Sequence, residues 1–167
     1  MKISLVGFMG TGKSTVGQLL AKKLGLEFLE TDQLVEQHEQ ASISQIFAEQ
    51  GEKYFRQLEQ EILQEILINQ KAFVLSTGGG IVLSSDNRKL LQQKTIAILL
   101  EATPETIYQR IKEDGVRPLL ATENPQRKIK TLLKQRQNYY QEFTHKIQTD
   151  GKTPMEIVKE IKNLVGS

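Results

Sequence analysis

Short apolar runs alternate along this chain with stretches whose apolar residues recur every three or four positions. The runs predict strands over residues 3–6, 28–30, 73–76, 96–100 and 146–149. Several are continuous rather than alternating, as strands covered on both faces are. Val16, Leu19, Leu20 and Leu24 make one helical stripe that stops near Gly25. Phe55, Leu58, Ile62, Leu63, Ile66 and Leu67 make a second, longer one. Thr103-Pro104 and Thr153-Pro154 each read as a cap followed by a helix-starting proline. Glu156 completes a capping box at the second. Strands alternating with helices predict an α/β fold of three layers, with a central five-stranded parallel sheet between helices.

The first turn of this pattern carries chemistry. Gly7-Phe8-Met9-Gly10-Thr11-Gly12-Lys13-Ser14 follows the first strand directly and opens the first helix. That is the G-x-x-x-x-G-K-[ST] phosphate-binding loop in its required context of strand, loop and helix. Glycines let the backbone turn with positive φ and come close to a ligand. Successive N–H groups then form an anion nest, reinforced by the positive end of the helix dipole. Lys13 reaches the β- and γ-phosphates of a nucleotide, and the Ser14 hydroxyl suits Mg²⁺. The ligand class is therefore ATP or GTP.

Size and composition add bounds. At 167 residues the chain is expected to form one domain with a real core. A net charge of +2, without a long run of one sign, gives no reason to expect nucleic acid as a main partner. With no cysteine there is neither a disulfide nor a thiolate metal site, which is compatible with a reducing cytoplasm. No segment approaches the roughly 20 apolar residues of a membrane span, and the N-terminus enters the first strand with no sign of a signal peptide. The stretch 112–126 fits the packed pattern poorly: it holds Gly115, Pro118, Pro125 and many polar groups around Arg117. It reads either as a mobile flap over a site or as a plain surface connection.

Further candidates lie at the carboxyl ends of strands, where open parallel sheets bind ligands. Glu30-Thr31-Asp32 follows the second strand. A carboxylate there suits an attacking hydroxyl or an ion's water shell, but Asp32 is also placed to cap the next helix. Thr77-Gly78-Gly79-Gly80 follows the third strand, either as exposed backbone donors or as a flexible turn. Arg56, Arg110, Arg117 and Arg136 have the fork that matches carboxylate and phosphate, although each also suits a surface ion pair. Arg56 has Glu52 and Glu59 at helical spacing.

Together these residues resemble the shikimate kinase family over essentially the whole chain. The phosphate loop through Thr15, Ile46-Phe47, Gly51-Glu52, Phe55-Arg56 with Glu59, Ser76-Thr77-Gly78-Gly79-Gly80, Arg117-Pro118-Leu119-Leu120, and Arg136 with Tyr140 and Glu142 carry the resemblance. It implies a P-loop, nucleoside-monophosphate-kinase-like fold with a substrate-binding helical region near 32–60 and a lid near 112–126. It implies transfer of the ATP γ-phosphoryl group to the 3-hydroxyl of shikimate, giving shikimate 3-phosphate and ADP in chorismate and aromatic amino acid biosynthesis. Asp32 would contact the substrate hydroxyls and take the proton, with Lys13 and Arg117 as its catalytic partners. Arg56 and Arg136 would grip the shikimate carboxylate, with Gly78, Gly79 and Gly80 lining that pocket, Glu59 orienting Arg56, and Phe47 and Phe55 walling the ring. Gly10, Thr11, Gly12, Lys13, Ser14, Thr15, Arg110 and Arg117 would bind ATP, Arg110 and the loop 149–154 packing on the adenine. Ser14 and Glu30 would hold Mg²⁺. Glu30 stands where the family usually has aspartate, and Asn138 where it often has proline. The expected protein is a cytoplasmic monomer that acts on small molecules.

Two rival readings keep the same loop. Another small P-loop kinase, for gluconate or a nucleoside monophosphate, would share fold and lid but not the acceptor pocket. A GTP-dependent switch needs a guanine-reading Asn-Lys-x-Asp segment, and the chain has none.

Overall fold

The structure is a computed structural model that describes residues 1–114 and 121–166. Five strands form one parallel sheet: β1 (Lys2–Val6), β2 (Glu27–Glu30), β3 (Phe73–Ser76), β4 (Ile96–Glu101) and β5 (His145–Gln148). Their spatial order is β2-β3-β1-β4-β5. Ser4 of β1 pairs in register with Leu75 of β3 on one side and Ala97 of β4 on the other.

Side-chain alternation divides the core in two. Ile3 and Leu5, Val74, and Ile98 and Leu100 face one way. There they meet Val16 and Leu20 of α1 (Lys13–Leu24) and Ile157 and Ile161 of α7 (Pro154–Val165). Phe73, Leu75 and Leu99 face the other way, toward Leu63 and Leu67 of α3 (Ile43–Asn69) and Leu91 of α4 (Ser85–Lys94). Ile107 of α5 (Pro104–Glu113) and Ile129 of α6 (Pro125–Gln141) join that second cluster. Helices on both faces explain why the central strands are nearly continuous apolar runs, Ser4 being the buried polar exception in β1.

This layering positions the site. The helices that follow the adjacent strands β1 and β3 lie on opposite faces, so the loops after those strands part and open a crevice at the carboxyl edge. Beside it, α2 (Thr31–Glu39) follows β2 directly. The helix α3 is capped by a Ser42–Gln45 capping box and broken at Gly51, whose φ of 84° and ψ of 170° are non-helical. The break lets Phe47 fold against Phe55, with ring centroids 4.7 Å apart.

The predicted elements are found with shifted ends. The last strand starts and stops one residue earlier than expected. Thr149 lies beyond it because its hydroxyl turns back to Glu101 O at 2.9 Å and the chain then reverses through Gly151, with φ of 67°. The stretch 112–126 is partly regular. The helix α5 continues to Glu113, and Asn124 caps α6 by accepting a hydrogen bond from Arg127 N at 3.0 Å. Residues 115–120, Arg117 among them, lie outside the described residues.

Candidate active site

The phosphate loop adopts the turn its glycines permit. Gly10 and Gly12 have φ of 79° and 92°, and Gly12 is the left-handed residue from which α1 starts. The Thr11 hydroxyl donates to Phe8 O at 2.8 Å and locks the turn. Lys13 is buried, and its ammonium group donates to Gly7 O and Phe8 O, both at 2.9 Å. The charge of the lysine is thus held inside the loop where phosphate oxygens would come.

A cavity of about 420 Å³ opens over this loop. Gly10 to Thr15, Glu30, Asp32, Gly79 and Arg110 are among its walls. Arg110 ties two of those walls together. Its Nη1 donates to Gly10 O at 3.2 Å and to Thr149 Oγ1 at 3.0 Å, and its Nη2 to Thr149 O at 3.1 Å. The loop beyond Thr149 is held in turn by Asp150, which accepts from Thr103 N at 3.0 Å and from the Thr103 hydroxyl at 2.7 Å. Slight burial opposes ionisation of Asp150, but the hydrogen bonds from Thr106, Thr103 and Gln148 outweigh it and hold its pKa at about 2.

On the opposite wall the Ser14 hydroxyl donates to Glu30 Oε1, and the Ser76 hydroxyl lies 3.4 Å from Ser14 Oγ and 3.5 Å from the same carboxylate. This cluster contains oxygen donors only, the chemistry a hard divalent cation requires. Among the described residues no group of three or more His, Cys, Asp or Glu side chains is arranged to hold a metal by itself.

Asp32 sits in the first turn of α2, and its side chain does not cap that helix; Glu30 occupies the cap position and also makes no side-chain cap. Burial pushes the Asp32 carboxyl above the usual aspartate range, against the opposing pull of Lys13 and Arg56, with Glu30 and Glu36 pushing the same way as burial. A carboxylate so raised is a better proton acceptor than an ordinary one.

The triple glycine lies against the charged groups. Gly78 N donates to Thr31 Oγ1 at 2.8 Å. A Cβ at Gly78 would stand 2.7 Å from Asp32 Oδ1 and 2.8 Å from Glu59 Oε1. A Cβ at Gly80 would fall within 2.6 Å of Arg56 Cζ. These positions are glycine because side chains converge on them, which the sequence alone leaves open against a flexible turn. Arg56 donates to Glu59 Oε2 at 2.9 Å and lies 3.5 Å from Glu52. Glu59 is only 1% exposed, and burial raises its pKa against the pull of Arg56. Both Arg56 Nε and Glu59 Oε1 are buried without a hydrogen-bond partner. Arg136 reaches Gly79 O at 2.9 Å and lies 5.4 Å from the centre of the Phe8 ring.

The structure therefore gathers Lys13, Ser14, Glu30, Asp32, Gly79 and Arg110 around one cavity. Arg56 and Arg136 do not line that cavity; they meet the glycine turn beside it, Arg56 at Gly80 and Arg136 at Gly79, which is itself a wall. Two residues escaped sequence reading. Thr31, flanked by two acidic candidates, gave no signal beyond its position at a helix start. Arg88 is 8% exposed and looked like an ordinary polar-face residue of α4.

Sequence and fold recur in known proteins. The family model for shikimate kinase matches residues 9–165. A shikimate kinase of Thermodesulfovibrio yellowstonii is 42% identical over 95% of this chain and 91% of its own length. One of Persephonella marina is 44% identical over 95% of each chain. The solved structure of an Acinetobacter baumannii shikimate kinase in complex with shikimate superposes with a TM-score of 0.92. It is 41% identical and covers 98% of this chain and 92% of that one. An Aquifex aeolicus shikimate kinase superposes with a TM-score of 0.84, at 34% identity over 99% of this chain and 96% of that one.

Proposed function

This chain belongs to the shikimate kinase family, and from that premise we propose how its pocket works. It is an ATP-dependent kinase that acts on a hydroxyl of shikimate. The finer reading is that the 3-hydroxyl receives the γ-phosphoryl group, giving shikimate 3-phosphate and ADP. The observation that carries this reading is the pair of arginines at the triple glycine. Arg56 and Arg136 approach adjacent glycines from two different helices, and Arg56 Nε is a buried donor with no hydrogen-bond acceptor, the nearest carboxylate, Glu52, standing 3.5 Å away. Buried groups of that kind call for a polar ligand. A compact acceptor with a carboxylate supplies one, and paired guanidinium forks match it.

Each side chain then has a separable task. Gly10 to Thr15 cradle the ATP phosphates, and Lys13 exchanges its loop carbonyls for phosphate oxygens. Arg110 keeps the phosphate loop and the loop after β5 at a fixed spacing, so that the base and the phosphates are held together. Asp32 orients the attacking hydroxyl and accepts its proton as the new P–O bond forms and the bond to the ADP oxygen breaks. The protein's share of catalysis is alignment and charge stabilisation. Ser14 and Glu30 would hold Mg²⁺, which when bound neutralises charge on the phosphate oxygens. Arg117, by family resemblance, contributes a further positive charge from the lid. A monomer acting in the cytoplasm, without nucleic-acid or membrane partners, completes the proposal. No helix among the described residues is long and apolar enough to cross a membrane.

The test is ADP release from Mg-ATP with shikimate, gluconate or AMP as acceptor, with the phosphorylated product identified by ³¹P NMR. A large increase with shikimate alone, and phosphate on the 3-oxygen, supports the reading. Equal or greater stimulation by gluconate or AMP overturns it in favour of another small-metabolite kinase.

A further inference from the structure

Arg88 is a charged side chain with no part in the chemistry above, yet it is 8% exposed. Placing a guanidinium there is costly unless its donors are used. They are used on two separate elements. Its Nη1 donates to Val82 O at 2.7 Å, in the short 3₁₀ turn Ile81–Leu83 that continues directly from the triple glycine. Its Nε donates to Glu142 Oε2 at 2.8 Å, at the C-cap of α6. Its guanidinium also lies 4.4 Å from the centre of the Tyr139 ring. A cation at a helix C-terminus is favoured by the helix dipole as well.

Tyr139 lies one helical turn beyond Arg136, and Val82 lies two residues beyond Gly80. Arg88 thus joins the same two elements that meet in the pocket through the Arg136 to Gly79 hydrogen bond. The two ties differ in what substrate does to them. On the proposed reading Arg136 takes the acceptor carboxylate, so its hydrogen bond to Gly79 O is free to rearrange on binding. Arg88 touches only protein groups on the far side of the turn.

We infer that Arg88 is a positioning residue for acceptor binding, a buried brace that fixes the last turn of α6 against the triple-glycine turn and so sets where the Arg136 fork points. The inference rests on the reading of Arg136 as one arm of the acceptor pocket. A lysine cannot replace Arg88, since one ammonium group lacks the planar fork that serves Val82 O and Glu142 while stacking on Tyr139.

The experiment is a double-mutant cycle on shikimate affinity, measured by isothermal titration calorimetry on the full-length protein. ATP affinity and Tm are recorded for every variant. Arg88→Met is expected to weaken shikimate binding roughly tenfold and to leave ATP binding unchanged. Arg88→Lys recovers only part of the loss. In an Arg136→Met background, Arg88→Met is expected to add almost nothing, because its effect passes through the missing fork. Glu142→Ala, at a half-exposed partner, gives a smaller loss in the same direction and carries the test if Arg88→Met does not fold. Lower Tm with unchanged shikimate affinity, or losses that add fully in the double variant, overturns the inference. Unchanged shikimate affinity in Arg136→Met alone overturns the underlying reading of the pocket instead, so the two failures are told apart.

Discussion

Arg136 of α6 crosses to the loop after β3 and donates a 2.9 Å hydrogen bond to Gly79 O. One donor of its fork is committed to this carbonyl, while the guanidinium also interacts with Tyr140 and lies over the Phe8 ring. The Gly79 contact joins α6 to the glycine turn, and on the proposed reading it forms one side of the acceptor pocket.

Removal of that arm has a selective consequence. Arg136→Ala is expected to weaken shikimate binding by roughly 2–5 kcal/mol, the range for a truncated partner of a desolvated charge pair. ATP affinity should stay near normal. Calorimetric titration with each substrate separates the two. Equal losses for both would mean that Arg136 supports the fold of the site and does not grip the acceptor.

Gly80→Ala tests the other arm without touching it. The new methyl group would occupy the place of the Arg56 guanidinium, which can swing aside because it ends a flexible side chain. The fold should therefore survive, with Tm almost unchanged. Displacing a substrate-positioning group by about an ångström costs on the order of a hundredfold in rate. That loss should appear in kcat/KM for shikimate while KM for ATP holds. A variant with normal shikimate kinetics would show that Arg56 is not held in place by the glycine turn.

Asp32→Asn separates chemistry from stability. The native carboxyl sits in a site whose burial disfavours its charged form. The amide keeps the size and drops the charge, so Tm should be equal or higher, while kcat falls steeply and substrate affinities change less. Thermal melts and steady-state kinetics on one preparation check both halves. Near-normal turnover would rule out Asp32 as the proton acceptor.

Glu30 is one methylene longer than the aspartate common in the family, yet its carboxylate reaches the Ser14 hydroxyl. The expected outcome for Glu30→Asp is an unchanged dependence of rate on Mg²⁺ concentration. Mg²⁺ titration at saturating ATP measures it. A large gain in apparent Mg²⁺ affinity would show that the glutamate compromises the native cation site.

Much of this could be read from the chain, for identifiable reasons. Val74 and Ile98 on one sheet face and Leu75 and Leu99 on the other make nearly continuous apolar strands because helices cover both faces, and that burial leaves a direct mark in sequence. The phosphate loop is legible because its chemistry is local: donors, dipole and lysine all come from one short segment. The carboxyl-edge candidates could be named but not weighed, since their meaning depends on distant partners. Gly80 is explained by Arg56, and Gly78 by Asp32 and Glu59, all remote in sequence. Asp32 as a helix cap and Asp32 as a base give the same local pattern; the structure shows it lining the cavity and not at the cap position. Arg88 was invisible for the same reason. On α4 it looks like one more polar residue, and its importance comes from Val82 and Glu142, elements apart.

The most direct measurement compares shikimate with its methyl ester as acceptor, following ADP release in the native protein and in Arg56→Ala and Arg136→Ala. If the two arginines grip the carboxylate, the ester is a far poorer acceptor for the native protein, mainly through KM. The two acceptors should then become nearly equivalent in the arginine variants. If the native protein uses both equally, or if the variants keep the full preference for the free acid, the arginine pair does not form the acceptor site.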